Sequence, residues 1–184
     1  LSNGVKFYFD KLGLKKKIRI VNRLDRNTSG IIVFAKNEYI QECLIKQMKT
    51  KELKKEYLAI VEGILESKSD TLTFPIARKE GSIIERTVSS DGDSAITHYD
   101  IVKEFNNLSL VHITLGTGRT HQIRVHFSYI GHPILGDTLY GRPSELINRQ
   151  ALHSYKLTFT HPVTKKVLSL EAPLPNDIKN ILNN

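Results

Sequence analysis

The chain has 184 residues, with 27 Lys and Arg against 19 Asp and Glu, which gives a formal net charge of +8. This length is typical of one domain with a core of its own, and the single cysteine, Cys43, excludes an intramolecular disulfide and a cysteine-rich metal site. The sequence shows neither an apolar run long enough to span a bilayer nor a secretion signal at its start. We therefore expect a cytoplasmic protein, and the basic charge favours a polyanionic partner.

The first part of the chain predicts a strand, a helix and a second strand. Residues 31–35 form a short apolar run and predict a buried strand. Apolar residues recur at helical spacing from 38 to about 50, which predicts a helix, and Cys43 lies on its apolar stripe and is expected to be buried. Residues 54–61 alternate as a strand does, with Tyr57 on one of its faces.

The second part of the chain predicts two hairpins on either side of a short helix. Residues 79–92 mix charge, Ser and Gly and predict a surface loop or an irregular hairpin. Thr120 is the candidate cap of a helix that ends near Ile130, and a short helix is expected from Asn176. The predicted strand pairs are 95–102 with 108–115, and 155–160 with 166–170. These elements predict an α+β fold with a mixed, mainly antiparallel central sheet and flanking helices, formed by residues 1–184 as one domain.

An unusual polar loop, residues 22–30, precedes the first predicted strand. It places Arg23 and Arg26 on either side of Asp25, and nearby positive charge favours the ionised carboxylate. A carboxylate held in this state can act as a nucleophile or a base. The same residue types also suit an ordinary turn, in which Asp, Asn, Thr and Ser bond the loop backbone.

A second polar segment, residues 116–126, interrupts a strand with two glycines and leads into the short helix. Free N–H groups at a helix N-terminus bind anions, and Arg119 and Arg124 would add charge-assisted contacts. The alternative is a capped helix with solvated arginines. Metal binding is a weaker interpretation, because the histidines of this region match no common ligand spacing.

Three segments resemble, in order and spacing, the motifs of the RluA-type pseudouridine synthases: residues 23–30 (RLDRNTSG), 55–63 (KEYLAIVEG) and 118–126 (GRTHQIRVH). Residues 131–137 (GHPILGD) also follow as that family expects. The resemblance implies the family's α+β catalytic core, with a cleft across the middle of the sheet, and it implies no cofactor and no metal. Asn22 stands where the family usually has histidine, and there we expect tuning of activity rather than its loss.

The resemblance also implies roles for individual residues. Asp25 would be the catalytic aspartate, Tyr57 would stack on the target base and could take the proton from C5, and Arg124 would hold the orientation and charge of Asp25. Arg23 would enter the RNA stack where the uridine leaves it. Further RNA contacts are expected from Arg26, Arg119, His121 and Gln122. Whether Asp25 attacks the sugar, attacks C6 or removes a sugar proton stays open.

The implied reaction is the isomerisation of uridine to pseudouridine in structured RNA. We favour large-subunit ribosomal RNA, with transfer RNA as the alternative, and expect neither membrane contact nor an obligatory protein partner. The competing interpretations are an RNA-binding module, which could dispense with Asp25, and a hydrolase, although glycosidases commonly need two carboxylates. The chain begins with Leu rather than Met, so we expect that an N-terminal portion is missing.

Overall fold

The computed structural model describes residues 1–183. Its helices are α1 (Ser2–Lys11), α2 (Glu38–Lys49), α3 (Gln122–Tyr129) and α4 (Asn176–Asn183). Its strands are β1 (Arg19–Ile20), β2 (Ser29–Gly30), β3 (Phe34–Ala35), β4 (Lys54–Glu62), β5 (Ser69–Leu72), β6 (Ile76–Arg78), β7 (Arg86–Val88), β8 (Thr97–Phe105), β9 (Leu108–Leu115), β10 (Leu152–Thr160) and β11 (Val167–Glu171). Across these residues, every helix is too short or too polar to cross a bilayer.

A seven-stranded sheet forms the middle of the molecule, in the order β11-β10-β4-β9-β8-β5 with β2 beside β10. All neighbouring strands are antiparallel except β2, which runs parallel to β10. Two smaller sheets pair β1 with β3 and β6 with β7. The prediction of a mixed, mainly antiparallel sheet with flanking helices is confirmed.

The β8–β9 hairpin and β4 contribute nearly half of the buried residues of the larger hydrophobic cluster. Asn106 and Asn107 connect β8 to β9 with φ of 47° and 57°, the left-handed conformation of a tight turn that matches the twist of paired strands. The larger hydrophobic cluster joins side chains of these strands, such as Val111, to Phe127 of α3 and Ile178 of α4. The sheet thereby fixes the position of α3, which carries part of the third sequence motif.

A second, smaller cluster fixes α2 against the other end of β10. Leu44 of α2 packs there with Val21, Leu157 and Phe159. Asn37 caps the helix, because its side-chain oxygen accepts the N–H of Ile40 at 2.9 Å. Cys43, expected to be buried, is only half-buried at the side of this helix.

The predicted strand over 31–35 is wrong in extent, because the chain divides between two sheets there. β2 pairs with β10, whereas β3 pairs with β1. The side chain of Asn22 bridges the gap: it donates to the carbonyl of Ile31 at 3.2 Å and accepts the N–H of Val33 at 2.7 Å. A buried side chain thus replaces the strand pairing that the apolar run predicted.

The predicted cap of α3 is also wrong. His121, not Thr120, precedes the helix, with a left-handed φ of 58° and no side-chain cap. The preceding turn is closed by Gln122, whose Oε1 accepts the hydroxyl of Thr117 at 2.8 Å and the N–H of Arg119 at 2.9 Å. The N–H of Arg119 is therefore used within the protein and is not free for an anion.

The hairpin alternative for residues 79–92 is confirmed, since β6 and β7 pair across this stretch.

Helix α1 was not predicted. Its apolar residues Phe7 and Tyr8 are exposed, so the segment lacks the single buried face that gives a helix a recognisable pattern.

Candidate active site

The two polar loops and β4 surround one cavity of about 220 Å³, here called the central pocket. The loop 22–30 contributes Arg23 and Asp25, β4 contributes Tyr57, and the segment 116–126 contributes Arg119 and His121. Three segments far apart in the sequence are thus brought to one place by the sheet. Asp25 is the one carboxylate among the described residues that line the pocket.

Hydrogen bonds to its backbone hold the loop that carries Asp25 in place. The N–H of Thr28 bonds the carbonyl of Asp25 at 3.0 Å, as in a turn. Gln150 donates to the carbonyl of Arg26 at 2.6 Å, and Arg149 donates to the carbonyl of Asn27 at 3.0 Å. The loop is therefore an ordinary turn in its backbone, and that turn presents a carboxylate to the pocket.

Gly30 lets this loop approach the sheet closely. It has a φ of 110°, and a Cβ at this position would lie 2.1 Å from the carbonyl oxygen of Ser154. Any side chain would force β2 away from β10 and shift the loop with it. The glycine that ends the first sequence motif is thus a requirement of the strand pairing.

Arg124 connects Asp25 to a second, fully buried carboxylate. Its Nη1 lies 3.6 Å from Oδ2 of Asp25, an ion-pair distance. Its Nε and Nη2 donate to the two carboxylate oxygens of Asp137 at 2.6 Å and 2.8 Å. The guanidinium also lies 5.0 Å from the centre of the Tyr140 ring. This arrangement fixes the guanidinium plane, and Asp25 faces a cation that cannot rotate away.

Burial and charge oppose each other in this cluster. Burial acts to lower the pKa of the Arg124 guanidinium, but Asp137 and, more weakly, Asp25 raise it above its ordinary value. Burial acts to raise the pKa of Asp137, but hydrogen bonds and charge from Arg124 hold it below its ordinary value. Both partners therefore stay charged at neutral pH.

Tyr57 forms a buried wall of the pocket. Burial raises its pKa to about 12; the Ser154 hydroxyl opposes the rise and the negative charge of Asp25 adds to it. The phenol is therefore neutral at physiological pH. It offers the pocket an aromatic ring and a hydroxyl, and it can accept a proton only if its own proton moves on.

His121 is oriented by Tyr140. Its Nδ1 lies 2.8 Å from the Tyr140 hydroxyl, and that hydroxyl accepts the N–H of Arg86 at 2.8 Å. The phenolic proton is then free to point at Nδ1, which assigns the ring proton to Nε2. Burial lowers the pKa of His121 more than any other cause, Arg124 lowers it further and Asp25 opposes both. The imidazole is neutral at physiological pH.

The residues that we expected to contact RNA differ in their exposure to solvent. Arg23 and Arg26 are exposed. Arg119 lies at the rim, where Nε donates to the carbonyl of Ser94 at 3.0 Å. Gln122 is only 2% exposed, and its Nε2 donates to Ile96 and Thr97, both at 2.9 Å. With both ends of its amide used, Gln122 braces the loop and is unsuited to the direct RNA contact that we expected.

Asp137, Tyr140 and Lys55 lie in or beside the motifs quoted from the sequence, but the sequence alone assigned none of them an individual role in the site. Lys55 had a usable signal, because it stands two residues before Tyr57 in a strand and so shares its face. Asp137 had none, since its bond to Arg124 exists only after the chain folds.

The metal interpretation has no support from geometry: within residues 1–183, no three His, Cys, Asp or Glu side chains are grouped to hold an ion.

The chain matches the family model described as RNA pseudouridylate synthase over residues 2–129, and it belongs to this family. It is 45% identical over 183 residues to the uncharacterized RNA pseudouridine synthase YhcT of Bacillus subtilis, with 98% of this chain and 61% of the relative covered. It is 39% identical over 191 residues to ribosomal large subunit pseudouridine synthase D of Nitrosomonas europaea, with 99% and 55% covered. The chain thus spans less than two thirds of the length of these relatives.

Solved structures agree on the fold. Human RNA pseudouridylate synthase domain containing 1 superposes with a TM-score of 0.74 at 26% identity, covering 85% of this chain and 69% of that one. Human RNA pseudouridylate synthase domain containing 4 superposes with a TM-score of 0.77 at 22% identity, covering 95% and 78%. The α+β core described above is therefore the core of this family.

Proposed function

We propose that the chain is the catalytic part of an enzyme that isomerises uridine to pseudouridine in RNA, with Asp25 as the catalytic carboxylate. The observation that carries the proposal is the position of Asp25. It faces the central pocket, 3.6 Å from the guanidinium of Arg124, and Tyr57 lines the same pocket. Family membership supports the class of reaction, and this geometry supports Asp25 as the catalytic residue.

The reaction needs a pocket that keeps the detached base. The bond from N1 to C1′ breaks, the uracil turns, and a bond from C5 to C1′ forms. The proton on C5 is lost and N1 gains one, so atoms and electrons balance without an oxidant or reductant. Each of the three routes left open for Asp25 requires a carboxylate that is ionised at the start, and the guanidinium of Arg124 lies 3.6 Å from this carboxylate.

The neutral phenol of Tyr57 has two tasks in this proposal. Its buried ring limits the movement of the freed base, and its hydroxyl can relay the C5 proton. A phenol with a pKa of about 12 is almost fully protonated at neutral pH, so the relay requires an acceptor for the phenolic proton. The carboxylate of Asp25, whose charge acts on the Tyr57 hydroxyl, is the candidate acceptor once it is released from the sugar or base.

The exposed arginines supply the remaining contacts. An enzyme that acts on a base must take it out of its stack, at a cost of a few kcal/mol. Arg23, exposed beside the pocket, can replace the lost stacking with its guanidinium plane. Arg26 and Arg119 add charge at the rim, and His121 offers an N–H donor at Nε2.

For the substrate, we propose large-subunit ribosomal RNA. The support is the printed name of a relative with 39% identity, ribosomal large subunit pseudouridine synthase D. A cytoplasmic location fits such a substrate. Transfer RNA is the alternative to be tested.

The test is a map of pseudouridine in ribosomal and transfer RNA from cells with and without the gene. A chemical tag that stops reverse transcriptase at pseudouridine locates each site. We expect one or more large-subunit sites to disappear on deletion and to return with the wild-type gene but not with Asp25→Asn. A lost site in transfer RNA alone would refute the ribosomal substrate, and restoration by Asp25→Asn would refute the catalytic role.

A further inference from the structure

A second cavity, here called the side groove, opens directly beside the central pocket and has a volume of about 880 Å³. It lies between the end of α2 and the ends of β4 and β9. The two cavities share six lining residues: Val21, Met48, Lys55, Leu115, Gly118 and Arg119. A chain that enters the central pocket can therefore continue into the side groove without leaving the surface.

The side groove has the charge that an RNA strand requires. The cations that line it are Lys49, Lys51, Lys54, Lys55 and Arg119, against the single carboxylate of Glu56. Glu56 is also engaged elsewhere, since its Oε2 lies 2.9 Å from Nε2 of His112. The excess of positive charge complements a phosphodiester backbone.

Among the residues that the structure describes, Lys55 combines burial with the absence of a partner, whereas the other unpaired lysines of the side groove, Lys49, Lys51 and Lys54, are exposed. Within residues 1–183, its ammonium has neither a hydrogen-bond partner nor an ion-pair partner, whereas Lys79 and Lys156 each meet a glutamate at 2.8 Å. Burial lowers the pKa of Lys55, and no carboxylate offsets this effect. An unpaired charge in such a place costs stability, so its retention indicates a partner of opposite charge from outside the chain.

The position of Lys55 indicates which part of an RNA it would meet. It shares a face of β4 with Tyr57, two residues further on. Its Nζ lies against the backbone of the segment 116–126, since a Cβ on Gly118 would come within 2.9 Å of it. The ammonium is thus located where the two cavities join, beside the apolar side chains of Met48 and Leu115.

We propose that the side groove is a second RNA subsite, in which the nucleotide next to the target uridine binds, and that Lys55 holds the phosphate between the two nucleotides. The apolar side chains at the junction offer a surface to the neighbouring base. This inference rests on the proposed function, because it takes the central pocket as the place of the target uridine. It adds a residue and a strand path to that function.

The test compares Lys55→Met with wild type for binding of a short fluorescein-labelled oligouridylate over a range of salt concentrations. Methionine keeps the length and apolar character of the lysine stem. Loss of one phosphate contact should reduce the slope of log affinity against log salt by about 0.7 and weaken binding about tenfold at low salt. Lys179→Met, an exposed lysine outside both cavities, is the matched control and should change neither quantity by as much.

The melting temperature separates binding from a structural role. Removal of an unpaired, partly buried charge should leave the melting temperature of Lys55→Met equal to or above that of wild type. A lower melting temperature would assign Lys55 to the fold and overturn the proposal. Weaker binding with an unchanged salt slope would mean a contact with a neutral base, and binding equal to that of Lys179→Met would mean no contact; either result would also overturn it.

The binding measurement does not depend on turnover. If wild type forms no pseudouridine but Lys55→Met shows the expected change in slope, the proposed function fails and the RNA contact of Lys55 stands. If wild type forms pseudouridine and Lys55→Met binds as Lys179→Met does, the proposed function stands and the second subsite fails.

Discussion

Arg124 and Arg149 both stabilise the loop 22–30, and each grips a carboxylate with two hydrogen bonds, yet their surroundings differ. Arg124 and its partner Asp137 have side chains that are 8% and 0% exposed, whereas Arg149 and Asp177 are 16% and 39% exposed. Arg124 points its remaining nitrogen at the side chain of Asp25, at 3.6 Å. Arg149 points its own at the backbone carbonyl of Asn27, at 3.0 Å.

The two arginines therefore have different roles. Arg149 holds the backbone of the loop, whereas Arg124 places a positive charge beside the carboxylate of Asp25. Arg149 acts on backbone atoms and can be weakened without a change of charge at the pocket. Arg124 sets the electrostatic surroundings of Asp25, and its own position depends on a carboxylate that water cannot reach. We therefore expect changes around Arg124 to affect catalysis and stability together, and changes around Arg149 to affect stability alone.

The largest effect is expected from Asp25→Asn, which removes the charge that Arg124 faces and keeps the shape of the side chain. Turnover should fall by at least about a thousandfold, because no other described lining residue of the pocket carries a carboxylate. Single-turnover rates with a ribosomal RNA transcript measure the loss. RNA affinity and melting temperature should stay close to those of wild type, and a parallel loss of affinity would mean that Asp25 serves binding.

The next effect is expected from Asp137→Asn, which leaves the buried guanidinium of Arg124 without its anionic partner. We expect a loss of about 3 kcal/mol in the free energy of unfolding and a fall in turnover of about a hundredfold, because Arg124 no longer holds its position against Asp25. Denaturant titration and single-turnover kinetics measure the two quantities.

Asp177→Asn is the matched control for this prediction. It makes the same chemical change at the more exposed pair, where the loss should be at most about 1 kcal/mol with turnover unchanged. If the two variants lose equal activity, Arg149 contributes to the site as much as Arg124 does, and the distinction between them is wrong.

A smaller effect is expected from Tyr57→Phe, which keeps the ring that lines the central pocket and removes its hydroxyl. Turnover should fall about tenfold to a hundredfold, the range of a lost proton-transfer group, while RNA affinity changes by less than about twofold. Parallel measurements of rate and affinity distinguish this from an organising role, in which both would fall by the same factor.

The smallest effect is the dependence of folding stability on pH, which involves histidines near both Arg124 and Arg149. Burial is the first cause of a lowered pKa for His121, near Arg124, for His153, near Arg149, and for the core residue His126. Below pH 6.5, the ordinary pKa of histidine, these side chains bind protons in the unfolded chain, whereas in the folded chain they stay neutral down to their lowered pKa values. Stability should therefore be complete above pH 6.5 and fall as pH drops toward the lowered values, by at most about 1.4 kcal/mol per pH unit for each histidine.

Variants of single histidines test the assignment. His126 has one ring nitrogen bonded to the carbonyl of Phe74 at 2.8 Å, and its other ring nitrogen is buried without a partner among the described residues. His126→Asn should flatten the dependence of stability on pH between 6.5 and lower values. His98→Asn, at an exposed position, should leave the dependence unchanged, and an equal flattening by both variants would contradict the assignment.

Local patterns in the sequence predicted the central sheet because the signals for its strands and turns come from residues that are close together in the chain. The alternation in β4 and the turn at Asn106 and Asn107 depend on neighbours in the chain, and both appear in the structure. The family motifs, likewise contiguous, brought Asp25, Tyr57 and Arg124 to notice together. What the patterns could not supply is any feature that depends on a distant partner.

Three differences illustrate that limit. The apolar run 31–35 predicts one strand, but the side chain of Asn22 bonds the backbone of Ile31 and Val33, and only the last two residues of the run form a strand. Gln122 reads as a polar residue at the start of a helix, yet four hydrogen bonds within the protein use its amide. Asp137 reads as a loop residue, and only the folded chain brings it to Arg124.

The most direct test of the central claim is the release of tritium from RNA labelled at C5 of uridine, because the isomerisation removes the atom at that position. The full chain is incubated with labelled ribosomal and transfer RNA transcripts, with wild type and Asp25→Asn compared at equal RNA occupancy. We predict release by wild type and none above background by Asp25→Asn. Equal release by the two proteins would contradict the account, since the carboxylate of Asp25 would then have no part in the chemistry.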